Sequence, residues 1–310
     1  MTLKLGNAPC SWGTIEGMNA SERLSYGTML DELVAAGYRG TELGDYGFMP
    51  TDADVLREEL SSRDLTMLGA YVDVALSDPA AQAEGLGRAL TVARLLASVA
   101  DIGDPDWRPF LVLADLHSAD PVRFQNAGRL TPEMSLSDAE MTTFAEHANA
   151  VARAVLDETG LKTVFHHHCA GLVETPDEIG RFMRLTDPEL VSLVFDTGHY
   201  LYGSGGSQLK TVMTGLERHQ ERIEYVHLKD VDPGVAVEAR LKGLDYKTAI
   251  ERGIFCELGR GCVDFSGVVA KLNEWGYSGW LTVEQDMLPG LGTPKESALR
   301  NRKFLRLLGL

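Results

Sequence analysis

The sequence predicts an α/β protein, a (β/α)8 TIM barrel. Two observations predict the barrel. Short β-branched runs alternate with longer stretches of helical period along the whole chain, the mark of βα units around a parallel sheet. Eight such runs occur, and the polar residues that end them gather at their C-terminal ends, the face on which barrels carry their chemistry. The 310 residues match a barrel of roughly 250 residues with insertions. No linker, low-complexity tract or repeat divides them, so a single domain over 1–310 is expected.

The strand candidates, in order, are 3–8, 38–43, 66–72, 110–115, 162–167, 190–195, 223–228 and 279–284. Helix starts are marked between them. Thr175-Pro176-Asp177-Glu178 reads as a capping box with proline at the first helical position, and Thr293-Pro294-Lys295-Glu296 repeats that arrangement. Ser137-x-x-Glu140 opens another helix, along which Met141, Phe144, Ala148, Val151 and Val155 recur at helical spacing as a core face. After the fourth strand, residues 118–136 show little periodicity and carry Arg123, Asn126 and Arg129. A long βα loop there reads either as an active-site lid or as ordinary surface.

Composition narrows the partners. With 44% hydrophobic and 24% charged residues the chain is globular in type. No apolar run reaches the roughly 18 residues of a membrane span, and the N-terminus lacks the pattern of a signal peptide. Cys10, Cys169, Cys256 and Cys262 form no CxxC pair, which fits reduced thiols and a cytoplasmic location. A formal charge of −16 repels nucleic acid and anionic membranes, and favours a small neutral polyol or keto-sugar as partner.

The strand ends supply the chemistry. Strand 2 ends in Thr41-Glu42, strand 5 in His166-His167-His168, strand 6 in Asp196-Thr197-Gly198-His199, strand 7 in His227-Leu228-Lys229-Asp230 and strand 8 in Glu284-Gln285-Asp286. Imidazoles and carboxylates together suit Mn²⁺, Co²⁺, Fe²⁺, Zn²⁺ or Mg²⁺. Strand alternation puts His166 and His168 on one side and His167 on the other, and turns Glu284 inward. Asp196-Thr197-Gly198 is not an aspartic-protease motif, since that site pairs two such carboxylates on an all-β scaffold. Gly203-Ser204-Gly205-Gly206 lacks the lysine of a phosphate loop and reads as a turn. Gly259-Arg260-Gly261 either places Arg260 at the pocket mouth or is a plain loop.

From Lys162 to Asp286 these motifs run in a recognisable order: His-x-His, then Glu174-Thr175-x-x-Glu178, Phe195-Asp196-Thr197-Gly198-His199, Val226-His227-Leu228-Lys229-Asp230, Leu258-Gly259-x-Gly261-x-Val263-Asp264-Phe265 and Gly279-Trp280-Leu281-x-Val283-Glu284-Gln285-Asp286. In this order they resemble the xylose-isomerase-like superfamily of sugar isomerases and epimerases, and within it the inosose (2-keto-myo-inositol) dehydratase family. Ser11-Trp12 and Glu42-Leu43-Gly44 agree more loosely. The resemblance implies metal ligands at His166, Asp196, His227 and Glu284, with His168 the alternative on strand 5, and Mn²⁺ or Co²⁺ as the first choice of ion. The epimerase branch has a catalytic glutamate where this sequence has His166. That departure favours dehydration of a 2-keto cyclitol or keto-sugar through an enolate. Glu284 or a strand-5 histidine is then the candidate base, and His168 or His199 the candidate acid. Glu42, Trp12, Lys229 and Arg260 are expected at the substrate. The alternatives are a keto-sugar isomerase or epimerase on the same site, a sugar-binding barrel without catalysis, and an apurinic endonuclease, which the −16 charge opposes. A homo-oligomer is compatible with the resemblance.

Overall fold

The computed structural model describes residues 3–13, 24–206, 210–286 and 292–310. Its main sheet has nine parallel strands: β1 (Lys4–Asn7), β2 (Gly40–Thr41), β3 (Thr66–Met67), β4 (Gly69–Val74), β5 (Phe110–Asp115), β6 (Thr163–His166), β7 (Val191–Asp196), β8 (Ile223–Leu228) and β11 (Trp280–Val283). A short antiparallel pair, β9 (Asp230–Val231) and β10 (Phe255–Cys256), stands between β8 and β11. The order β3-β2-β1-β11-β8-β7-β6-β5-β4 ends in two halves of one chain segment. At the join, Leu68 donates its N–H to Thr41 and accepts from Phe110. The third expected strand is therefore one segment that pairs on both sides and closes the barrel, divided at Leu68.

Two apolar layers hold the fold. Outside the barrel, one face of each strand packs on the surrounding helices. Inside, Leu68, Trp107, Phe110, Val112, Val164, Val194, Tyr225 and Trp280 fill the N-terminal end. Gly6 and Gly40 make room for this plug, since a Cβ on either would come within 2.3 or 2.7 Å of Leu68 Cδ1. Because side chains alternate along a strand, the next inward positions after Val164, Val194, Tyr225 and Trp280 are His166, Asp196, His227 and Thr282. The same strands thus bury an apolar floor and present a polar layer above it.

The expected helix starts are present. Ser137 and Thr175 form reciprocal capping boxes that open the helices Asp138–Thr159 and Pro176–Leu185, and Thr293 accepts from Glu296 N at the start of Pro294–Leu307. Met141, Phe144, Ala148, Val151 and Val155 are all buried. Residues 118–136 are more ordered than their weak periodicity predicts. They hold the helix Pro121–Asn126, capped by Asp120, and a 3-10 turn at Pro132–Met134. Asp120-Pro121 is itself a start signal, a capping carboxylate followed by a first-position proline. The insertion between β9 and β10 carries two further helices, Pro233–Lys242 and Tyr246–Glu251. Gln125 donates to the Gly243 carbonyl and Arg129 to that of Leu244, so the two insertions are tied together. Among the described residues no helix is long and apolar enough to cross a membrane. The four cysteines are unpaired.

Candidate metal centre and active site

Strands β6, β7 and β8, with the residue after β11, bring His166, Asp196, His227 and Glu284 together above the apolar floor. His227 is central. Its Nε2 lies 2.8 Å from Glu42 Oε1, while Nδ1 lies 3.2 Å from Glu284 Oε1 and 3.8 Å from Asp196 Oδ2. His166 Nε2 is 4.0 Å from that same Asp196 oxygen. Asp196 Oδ1 is spent on His199 N at 2.7 Å, capping the helix Thr197–Gly203. Asp196 Oδ2, His166 Nδ1 and His227 Nδ1 are buried without a hydrogen-bond partner. Ligand-type atoms of His166, Asp196, His199 and Glu284 lie within 4.8 Å of one another, as do those of Glu42, His227 and Glu284. The four expected ligands therefore span two overlapping groups that share Glu284.

These residues fit a divalent cation. Buried polar atoms without partners are costly, and here Asp196 Oδ2 and His227 Nδ1 face each other at 3.8 Å with carboxylate charge in excess. With Nε2–H given to Glu42, the neutral His227 ring turns the Nδ1 lone pair toward Asp196 and Glu284, the carboxylate–histidine arrangement that orients a metal-binding imidazole. Without an ion, His227 supplies the missing positive charge. Burial opposes its protonation, but Glu284 and Glu42 raise it to about 9. Burial would raise Glu284, but His227 and Lys229 hold it down at about 2. Burial lifts Asp196 to about 7 and, with His227 beside it, lowers His166 to about 3.

Lys229 completes the charge pattern. Its Nζ lies 3.2 Å from Glu284 Oε2 and 3.7 Å from Asp286 Oδ1, above the Phe255 ring. Burial disfavours the ammonium, but Asp286, Glu284 and Asp196 keep it charged. Gly198 explains how the stem passes the neighbouring strand end, because a Cβ there would sit 2.6 Å from Lys229 Cγ.

A cavity of about 490 Å³ opens over the cluster. Glu42, His166, Lys229 and Glu284 line it as expected, together with His168. His167 turns away, and its Nε2 accepts from Asp196 N. His168 Nδ1 is 2.8 Å from the Cys169 carbonyl, which can only accept, so Nδ1 carries the proton and Nε2 of the neutral ring is bare. His199 stacks behind His168 with ring centroids 4.0 Å apart, and its nitrogens face Cys169 N and Lys229 Nζ. It is not among the residues lining the cavity.

Two expected substrate contacts fall elsewhere. Trp12 ends the 3-10 turn Pro9–Trp12, which buries its indole in the outer core and gives its N–H to Glu32. Arg260 points outward. Asp230 accepts from the N–H groups of Gly259, Gly261 and Val263, pinning the loop so that the Arg260 side chain stays 68% exposed and pairs with Glu257. Arg260→Ala is expected to leave KM and kcat within about twofold, as an exposed substitution within about 0.5 kcal/mol should. A KM rise of tenfold would return Arg260 to the substrate. Conversely, Cys10, Tyr71, His117, Phe124, Tyr246 and Asp286 line the cavity and were not expected there. Asp286 follows Glu284 by two, so strand alternation could have found it. Tyr246 lies in an insertion with no strand pattern to place it.

A parallel barrel with a buried imidazole–carboxylate cluster at the C-terminal ends of its strands defines a TIM barrel with a candidate metal centre. The chain belongs to the xylose isomerase-like TIM barrel family, whose model matches residues 30–308. It is 32% identical over 305 residues to an inosose dehydratase of Geobacillus kaustophilus (strain HTA426), covering 97% of this chain and 93% of that protein. It is 30% identical over 306 residues to an inosose dehydratase of Lacticaseibacillus casei, covering 98% and 97%. Among solved structures, the IOLI protein with a bound zinc atom matches in fold, with a TM-score of 0.65 at 16% identity over 99% of this chain and 98% of that one.

Proposed function

We propose that the protein is a metal-dependent hydro-lyase that removes water from a 2-keto cyclitol, as an inosose dehydratase does. The observation that carries this reading is the 32% identity spread over 97% of the chain to a protein of that name. The site chemistry supports it. His166, Asp196, His227 and Glu284 are the ligands, with Glu42 orienting His227. Mixed nitrogen and oxygen donors admit Mn²⁺, Co²⁺, Mg²⁺, Fe²⁺ and Zn²⁺, and the family resemblance favours Mn²⁺ or Co²⁺ among them. A divalent ion bound there would polarise the substrate carbonyl and stabilise the enolate.

The chain's own groups do the rest. His168 presents a bare Nε2 to the cavity and is the base for the α-proton, in preference to Glu284, whose oxygens face His227 and Lys229. Lys229 and Glu42 orient substrate oxygens. His199 supports His168 from behind rather than meeting substrate. The apolar floor under the cluster keeps the site dry on one side, which strengthens these charge interactions.

Incubating the metal-loaded protein with 2-keto-myo-inositol and following absorbance tests this. Growth of the conjugated product is expected. No product with Mn²⁺, Co²⁺, Mg²⁺, Fe²⁺ or Zn²⁺ overturns the reading, and solvent deuterium uptake without water loss would replace it by an isomerase or epimerase.

A further inference from the structure

The elimination needs a proton for the departing hydroxyl, because hydroxide is a poor leaving group. Neither histidine first considered for this supplies it. The neutral His168 ring has its one proton on Nδ1, directed at the Cys169 carbonyl. His199 does not line the cavity. We infer that His117, seated on Tyr71, is the catalytic acid that protonates the leaving hydroxyl. The inference rests on the dehydratase reading above.

Three features of the wall carry it. His117 and Tyr71 both line the cavity into which His166 and Glu284 of the candidate metal centre open. His117 Nδ1 lies 3.0 Å from the Tyr71 hydroxyl. The His117 ring lies against that of His168, with centroids 4.2 Å apart. With the phenol O–H donating to Nδ1, the proton of the His117 ring is carried on Nε2. One ring then carries a bare nitrogen and the ring lying against it an N–H, with the two centroids 4.2 Å apart. That spacing suits a C–H and a C–O bond on adjacent carbons of one small ring.

The step balances. The α-C–H bond breaks and its proton goes to His168 Nε2. The electron pair is held as the enolate, which then collapses to the conjugated carbon–carbon double bond as the β-C–O bond breaks. The departing oxygen takes the Nε2 proton of His117 and leaves as water. His117 Nδ1 takes the Tyr71 phenol proton, and half-buried Tyr71 recovers one from solvent while His168 releases one. The enzyme ends with the protons it began with.

The position was not legible in the sequence. His117 lies two residues beyond the end of β5, where strand alternation no longer says which way a side chain points. Tyr71 reaches the barrel interior from β4 and packs against the apolar plug. That anchors the acid to the floor of the barrel rather than to the loop alone.

The test separates the two proton transfers. His117→Gln and Tyr71→Phe are prepared as full chains loaded with Mn²⁺. Each is given 2-keto-myo-inositol in D₂O and scored for conjugated product and for deuterium at the α-carbon. His117→Gln should lose about 10²–10⁴-fold in water loss, the usual worth of a general acid. It should still exchange the α-proton within about threefold of the wild-type proton-abstraction rate. Tyr71→Phe should show the same split, more weakly. Product formation and exchange falling together in both variants, or neither falling, overturns the role. A wild-type protein that exchanges without losing water overturns the dehydratase reading itself, and this inference with it.

Discussion

Glu284→Gln should abolish metal retention and turnover together. Glu284 is the residue shared by the two overlapping groups of ligand-type atoms, and its two oxygens face His227 and Lys229. An amide keeps the shape but removes the charge that holds both cations and would hold the ion. Glu42→Gln provides the scale. Glu42 accepts from His227 Nε2 and the Tyr225 hydroxyl, and loss of such a partner to a ligand histidine costs about 10–100-fold in metal affinity or activity. Glu284→Gln should exceed that range, leaving no stoichiometric metal after dialysis, by elemental analysis, and no Mn²⁺ titration heat. A thermal melt of each variant separates this from unfolding. If Glu284→Gln keeps its metal and its turnover, the centre is misplaced.

Much of this centre was legible because a strand converts sequence parity into direction. Val164 and His166, Val194 and Asp196, and Tyr225 and His227 each put one residue in the plug and the next above it. What parity cannot reach is whatever lies beyond a strand end. The turn at Pro9–Trp12 swings Trp12 into the outer core. The Asp230 carboxylate, gathering three N–H groups from residues 259–263, aims Arg260 at solvent. Both outcomes are decided by hydrogen bonds between residues far apart in sequence, which no local pattern records. The segment 118–136 makes the same point. It read as lid or surface, yet Arg123 within it is a buried strut.

Arg123→Met should be strongly destabilising although it lies outside the metal cluster. The guanidinium meets Glu178 through two bonds of 2.6 and 2.9 Å and also donates to the Gly171 carbonyl at 2.8 Å, with both side chains almost inaccessible. Glu178 in turn accepts from Ser135 Oγ and from the N–H groups of Glu174 and Thr175. One ion pair therefore ties residues 118–136 and the turn after β6 to the helix Pro176–Leu185. Removing one partner of such a pair leaves the other charge buried, at a cost of about 3–5 kcal/mol. The pH dependence identifies the cause. Burial would raise the Glu178 carboxyl, but Arg123 holds it below its usual value. In the wild type that stabilisation is present above the unfolded value and is lost as pH falls through the lowered one. In Arg123→Met the main opposition to burial is gone and only the Ser135 and backbone N–H bonds remain, so the carboxyl is raised relative to the wild type. The variant's penalty is then greatest at neutral pH and shrinks on acidification, as the lone carboxyl protonates. Urea midpoints measured from pH 7 down to about 4.5, the carboxylate's ordinary range, should converge. Arg123→Met with Glu178→Met should recover part of the loss at neutral pH, because a buried pair is often replaceable by apolar side chains of similar volume. A penalty that stays constant with pH would mean that lost packing and the lost Gly171 bond, rather than a stranded charge, set the cost.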